Sequence, residues 1–132
     1  MGRRLILDTN MLVAYERGTV DRTQFDDDEL FLAAVTVAEY RVGIELADTA
    51  ERAAQRSRDL QAMLAGMNVL DYTVKTAAAH GRLLAHTRRI GTPRGALDLI
   101  IAAHAAETGM AVVSRDAKAK FADLPSVAYI GG

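Results

Sequence analysis

Five short apolar runs recur along the chain, at residues 5–7, 30–35, 67–70, 110–113 and 127–130, interrupted only by Asn68. Runs of this length without polar alternation suit strands buried on both faces, as in a parallel sheet covered by helices. Helical periodicity fills the intervals. In 96–108 the apolar positions Leu97, Ile100, Ile101 and Ala105 share one face, and in 74–90 the set Val74, Ala77, Ala78, Gly81, Leu84 and Ala85 does the same. Gly18, Gly66, Gly91 and Gly109 follow the helical stretches 11–17, 50–65, 74–90 and 96–108, where a left-handed residue would end each helix, and Pro93 reinforces the third stop. Strand and helix thus alternate from end to end. This predicts an α/β fold, a three-layer α/β/α domain with a mostly parallel central sheet, and one domain over residues 1–132.

Composition narrows the function classes. A chain of 132 residues, half of them hydrophobic, buries about two-thirds of its unfolded surface and needs no staples. It has no cysteine, which excludes disulfides, a thiolate nucleophile and a zinc–thiolate site, and makes a reducing cytoplasm the expected compartment. Met1-Gly2-Arg3-Arg4 is followed by too short an apolar run for a signal peptide, and no stretch of about 18 apolar residues is present. The net charge of −1 argues against a broad basic field, so any contact with nucleic acid must be local. Arg82, Arg88, Arg89 and Arg94 gather in one stretch, whereas Asp26-Asp27-Asp28-Glu29 reads as solvated surface.

Open α/β sheets bind ligands beyond the carboxyl ends of their strands, and four acids fall there. Asp8 closes the first apolar run, Glu39 lies in the first turn of the helix expected after the second, Asp116 follows the fourth, and Asp98 opens the helix over 96–108. Two carboxylates about 4 Å apart repel by roughly 4 kcal/mol at an effective dielectric near 20. Convergence therefore implies a bound cation or raised pKa values, and all-oxygen ligands with no cysteine make Mg²⁺ or Mn²⁺ the expected occupants. Each acid also has an ordinary structural use. Asp8 can cap the following helix, Thr36 and Glu39 fit a capping box, Asp98 suits a helix dipole, and Asp116 suits a turn. Asp71 is expected to cap the helix that starts at Val74.

Together the segments Leu7-Asp8-Thr9-Asn10, Val37-Ala38-Glu39-Tyr40-Arg41-Val42-Gly43, Ala96-Leu97-Asp98-Leu99-Ile100-Ile101-Ala102-Ala103-His104-Ala105 and Val113-Ser114-Arg115-Asp116 resemble a PIN domain, and more narrowly the VapC-type toxin of a toxin-antitoxin pair. The resemblance covers almost the whole chain. It implies a Mg²⁺- or Mn²⁺-dependent endoribonuclease, usually a homodimer, held inactive by a cognate antitoxin. It also implies that Asp8, Glu39, Asp98 and Asp116 form the catalytic, metal-holding set. On that reading Thr9, Asn10 and Ser114 position water or phosphate, some of Arg88, Arg89, Arg94 and Arg115 hold the RNA backbone, and products carry 5′-phosphate and 3′-hydroxyl ends. One departure stands out. Many relatives have an Asp three residues after the last motif, followed by Phe, whereas this chain has Ala119 there and its phenylalanine at Phe121. Asp123, the next acid, is read as structural.

Other chemistries fit less well. A metal-free ribonuclease needs an acid–base pair, but His104 lies on an apolar helical face and His80 and His86 sit mid-helix. A receiver domain needs paired acids after the first strand, and a haloacid-dehalogenase-like phosphatase a second Asp two residues on, where this chain has Asn10. A non-catalytic module that binds RNA or a partner is the remaining alternative.

Overall fold

The computed structural model describes residues 2–115 and 121–131. Its five strands are β1 (Arg4–Leu7), β2 (Glu29–Ala33), β3 (Asn68–Leu70), β4 (Ala111–Ser114) and β5 (Ala128–Gly131). The helices are α1 (Thr9–Arg17), α2 (Ala34–Glu45), α3 (Ala50–Gly66), α4 (Val74–Ile90) and α5 (Ala96–Thr108), with short 3-10 turns at Arg22–Phe25 and Phe121–Asp123. The strands form one sheet in the order β3-β2-β1-β4-β5, and every pairing is parallel. Among the described residues no helix is long and apolar enough to cross a membrane.

The strand alternation builds the three layers. On one face Ile6, Phe31 and Val112 pack against Ala79 and Leu83 of α4 and Leu99 and Ala102 of α5. On the other, Leu5, Leu7, Leu32 and Val113 meet Met11 and Leu12 of α1 and Leu60 and Met63 of α3, with Val37, Tyr40 and Ile44 of α2 alongside. Each fully buried Leu or Ile side chain contributes about 1.5–3 kcal/mol, so both helical layers are firmly seated.

Several expectations need correction. The run 30–35 is strand only to Ala33, and α2 begins at Ala34 with no intervening loop. Gly66 is not a left-handed stop: α3 runs through it and ends on an extended Met67 that feeds β3 directly. Left-handed glycines do close α1, α4 and α5, at Gly18, Gly91 and Gly109. The buried stripe of α4 is Thr76, Ala79, Leu83 and Thr87, whereas Val74 is 87% exposed and Ala77, Ala78 and Gly81 face outward. The two threonines can be buried because their hydroxyls are bonded, to Glu107 at 2.7 Å and to the Leu84 carbonyl at 3.0 Å. Helix α5 has no single apolar face, since Leu99 and residues 101 to 105 are all buried between the sheet and its neighbouring helices. Asp71 does not cap α4; Thr73 does, in a capping box with Thr76.

Candidate active site

The sheet order makes β1 the point from which the chain departs in both directions, toward β2 and β3 on one side and toward β4 and β5 on the other. A crevice is expected beyond the carboxyl ends of two strands at such a switch. Asp8 leaves β1 there and is 4% exposed. Its Oδ1 accepts the Met11 amide at 2.8 Å, capping α1, and its Oδ2 accepts a short hydrogen bond from the Ser114 hydroxyl. The adjacent Asp8 amide donates to the Val113 carbonyl at 3.3 Å. The two oxygens of Asp8 thus make separate contacts, one capping α1 and the other reaching β4. Ser114, at the end of β4, is fully buried, so the carboxylate is held between two central strands.

The next residue extends the arrangement. Thr9 Oγ1 donates to Glu39 Oε1 at 2.5 Å, which orients the glutamate toward the start of α1. Glu39 lies in the second turn of α2, not the first, because the helix starts directly at the end of β2. The expected capping box is absent: the N-cap position is Ala33, and the buried Thr36 hydroxyl has no partner among the described residues. Glu39 is thus available to Thr9 instead of to its own helix terminus.

Asp98 lies in the first turn of α5, as expected. Its carboxylate folds back over Gly95, the N-cap residue; a Cβ at position 95 would stand 2.9 Å from Asp98 Oδ2. Sequence reasoning did not single out Gly95. Its only signal was a glycine immediately ahead of a helix whose third residue is acidic. Asn10 is exposed. Asp116 lies outside the described residues. Among those described, no three Asp, Glu or His side chains gather closely enough to hold a metal ion between them.

A cavity of about 400 Å³ opens beside Thr9 and Glu39 and is lined further by Glu16, Arg17, Tyr40, Arg56 and Asp59. Burial and a hydrogen bond with Asp59 push the Glu16 carboxyl above its ordinary range. Burial and the nearby acids Glu16 and Asp59 also raise Tyr40. Arg56 is anchored by a 2.6 Å hydrogen bond to the Gly43 carbonyl. The arginines singled out from sequence divide in two. Arg88 and Arg89 are exposed in the last turn of α4 and Arg115 is exposed after β4, whereas Arg94 is half-buried.

His80 and His104 both pack edge-on against the Tyr72 ring, with centroids 5.8 and 6.4 Å from it. His104 is fully buried, burial holds its pKa below the usual range despite Glu107 and Asp71 nearby, and it lies six residues from Asp98 along α5, about 9 Å along the helix axis. His80 bonds the Tyr72 hydroxyl through Nδ1 at 2.8 Å. The acidic run is only partly bland surface, since Asp28 is clasped by Arg3 through Nε at 3.2 Å and Nη2 at 2.9 Å. Asp123 lies in an exposed part of the 3-10 turn after β4, and Phe121 is buried in the α4–α5 core.

The chain belongs to the PIN-domain family, whose model matches residues 5–126. Its relatives include VapC proteins. It is 33% identical to ribonuclease VapC5 of Mycobacterium tuberculosis over 84% of this chain and 82% of that one. It is 26% identical to the tRNA(fMet)-specific endonuclease VapC of Salmonella typhimurium over 94% of each chain. A solved Mycobacterium tuberculosis structure, described as VapBC-5 of the VapBC family of toxin-antitoxin systems, superposes with a TM-score of 0.82 at 30% identity, covering 98% of each chain.

Proposed function

We propose that this protein is a metal-dependent endoribonuclease and the toxin of a toxin-antitoxin pair. The observation that carries the reading is the pinning of Asp8 by Ser114 at the strand switch point, with Glu39 tied to the adjacent Thr9. Buried hydrogen bonds of this kind fix the orientation of ligating carboxylates. The VapC relatives named as a ribonuclease and as a tRNA(fMet)-specific endonuclease support RNA as the substrate class.

The donor chemistry fits a hard divalent ion, because Asp8, Glu39 and Asp98 offer only oxygen. These three, with Asp116, would hold Mg²⁺ or Mn²⁺, which when bound supplies activation of water and neutralises charge developing on a phosphate. The chain's own residues do the positioning. Ser114 and the Met11 amide set the Asp8 carboxylate, Thr9 sets Glu39, and Gly95 leaves room for Asp98. Asn10, which is exposed, would hydrogen-bond phosphate or water, and some of Arg88, Arg89, Arg94 and Arg115 would hold the RNA backbone. Cleavage by water would leave 5′-phosphate and 3′-hydroxyl ends.

The antitoxin reading rests on the solved VapBC-5 relative. The homodimer reading is supported by the outward-facing strip of Val74, Ala77, Ala78 and Gly81 on α4, which permits close approach of a second helix. The test of the whole is Asp8→Asn. Asparagine retains the helix cap, so the variant should fold, bind Mn²⁺ measurably more weakly by calorimetry and lose RNA cleavage. Full activity of the folded variant, or of the wild type in EDTA, would overturn the reading.

A further inference from the structure

The cavity of about 400 Å³ beside Glu39 is of a size that takes a small organic group. Thr9 and Glu39, joined by their hydrogen bond, form one wall of it, so its occupant lies next to the proposed cleavage site. The other walls carry Glu16 and Arg17 of α1, Tyr40 of α2, and Arg56 and Asp59 of α3. Arg17 is exposed and the other four are half-buried, open to a ligand yet partly shielded from water.

These groups are oriented but not used up. Arg56 Nη1 donates to the Gly43 carbonyl at 2.6 Å, which leaves the rest of the guanidinium fork free to donate. Asp59 Oδ1 accepts from Gln55 Nε2 at 2.8 Å, and Glu16 meets Asp59 across the boundary between α1 and α3. Among the described residues none of Glu16, Arg17, Arg56 and Asp59 enters an ion pair, although they line one space. The Tyr40 phenol stands among all four: besides burial, Glu16 and Asp59 raise its pKa, and Arg56 and Arg17 lower it. Tyr40 also packs on the core built with α1 and α3, which holds its ring in place. Arg17 has a local reason for its position, since a cation in the last turn of α1 complements the helix dipole. Arg56 lies mid-helix in α3 and has no such reason.

A ligand for this space must accept from a guanidinium and donate to two neighbouring carboxylates. A phosphate does only the first, and an ammonium or guanidinium only the second. Guanine does both. Its O6 and N7 match an arginine fork, and its N1–H and 2-amino group match carboxylate oxygens. Adenine and cytosine set a single amino donor beside a ring acceptor, and uracil sets one N–H between two carbonyls, so neither pattern fills both sides.

We infer that the cavity between α1, α2 and α3 is a guanine pocket for the nucleotide beside the cut phosphate, with Arg56 on O6 and N7, the Glu16 and Asp59 carboxylates on N1–H and the 2-amino group, and Tyr40 against the ring. The inference rests on the ribonuclease reading and adds which base flanks the cut. Single-stranded RNA is read in this way, by splayed bases stacked on aromatic rings and hydrogen-bonded along their edges.

The test sequences the 5′ ends that the full chain releases, with Mn²⁺, from a mixed-sequence single-stranded RNA. It then compares kcat/KM on one short RNA carrying guanine, inosine or adenine at the selected position. Guanine should be enriched about tenfold at one position flanking the cut, and inosine, which lacks only the 2-amino group, should lower kcat/KM about tenfold. Asp59→Asn should bring the guanine-to-inosine ratio close to one. Arg56→Ala should do the same to the guanine-to-adenine ratio, and so should Arg56→Lys, because an ammonium lacks the fork. Arg58→Ala, at an exposed position of α3, should keep both wild-type ratios. A ratio of two substrates on one preparation is not moved by a loss of folded protein. Cleavage with no base preference, with preference for another base, or with a guanine preference that survives both Asp59→Asn and Arg56→Ala would overturn the pocket and leave the ribonuclease reading standing. A wild-type chain that neither binds nor cuts RNA would overturn both.

Discussion

Gly95 and Asp98 form the tightest steric relation among the proposed site residues. The backbone at Gly95 has φ −57° and ψ 137°, a conformation alanine adopts without strain. What alanine cannot do is share the space taken by Asp98 Oδ2, 2.9 Å from the added Cβ. A carboxylate at the end of a rotatable side chain yields more readily than backbone, so Gly95→Ala should leave the unfolding free energy within about 0.5 kcal/mol of wild type. Cleavage should nonetheless fall by about 10–100-fold, the range for disturbing the support of a ligating group. Melting curves and initial rates on the same preparation check the split; equal losses of stability and activity would point to ordinary structural damage. At this scale the sequence reading went furthest for Asp8, whose position after an apolar run marks a strand end. It went less far for Glu39, because its contact with Thr9 joins residues 30 apart, which no local spacing reveals.

At the scale of elements, helices with strong end signals were legible and their faces were not. Gly91 and Gly109 mark the ends of α4 and α5 because a left-handed backbone favours glycine. The buried side of α4 was misassigned because alanines and glycine carry little hydrophobic contrast, while Thr76 and Thr87 look polar until their hydroxyl partners are known. The abrupt passage from β2 to α2 was hidden for a related reason: Ala34 and Val35 extend the apolar run without belonging to the strand. The misread face bears on the proposed homodimer. Gly81 lies on the outward strip of α4, and nothing stands within 4 Å of a Cβ placed there. Gly81→Arg should therefore be tolerated within the subunit, even slightly favourable for the helix, while blocking a helix-to-helix dimer. Light scattering should find the wild type dimeric and Gly81→Arg monomeric. A dimer that survives the substitution would move the interface away from α4.

The whole molecule carries an acid pair whose effect is global. Glu16 on α1 and Asp59 on α3 line both the cavity beside Glu39 and another cavity lined by Tyr15, Leu30 and Met63. Burial and Asp59 raise the folded-state pKa of Glu16 above its ordinary value near 4.5. The folded state then holds a proton that the unfolded chain has already released, so stability is greatest below that value and declines as pH rises through the folded pKa. Glu16→Gln removes the ionisation, and its unfolding midpoint should exceed that of wild type at pH 7 and approach it at pH 4. A midpoint difference that does not vary with pH would show that the proton on Glu16 is not responsible. The strand order has a separate consequence, in time instead of space. Asp8 waits for Ser114, 106 residues later in the chain, and central strands paired across such separations assemble slowly. Synthesis proceeds from the N-terminus, so no nascent fragment ending before β4 can set its first carboxylate. On the proposed function, a fragment ending before β4 should be inactive, and a partner made at the same time can be waiting when the sheet closes.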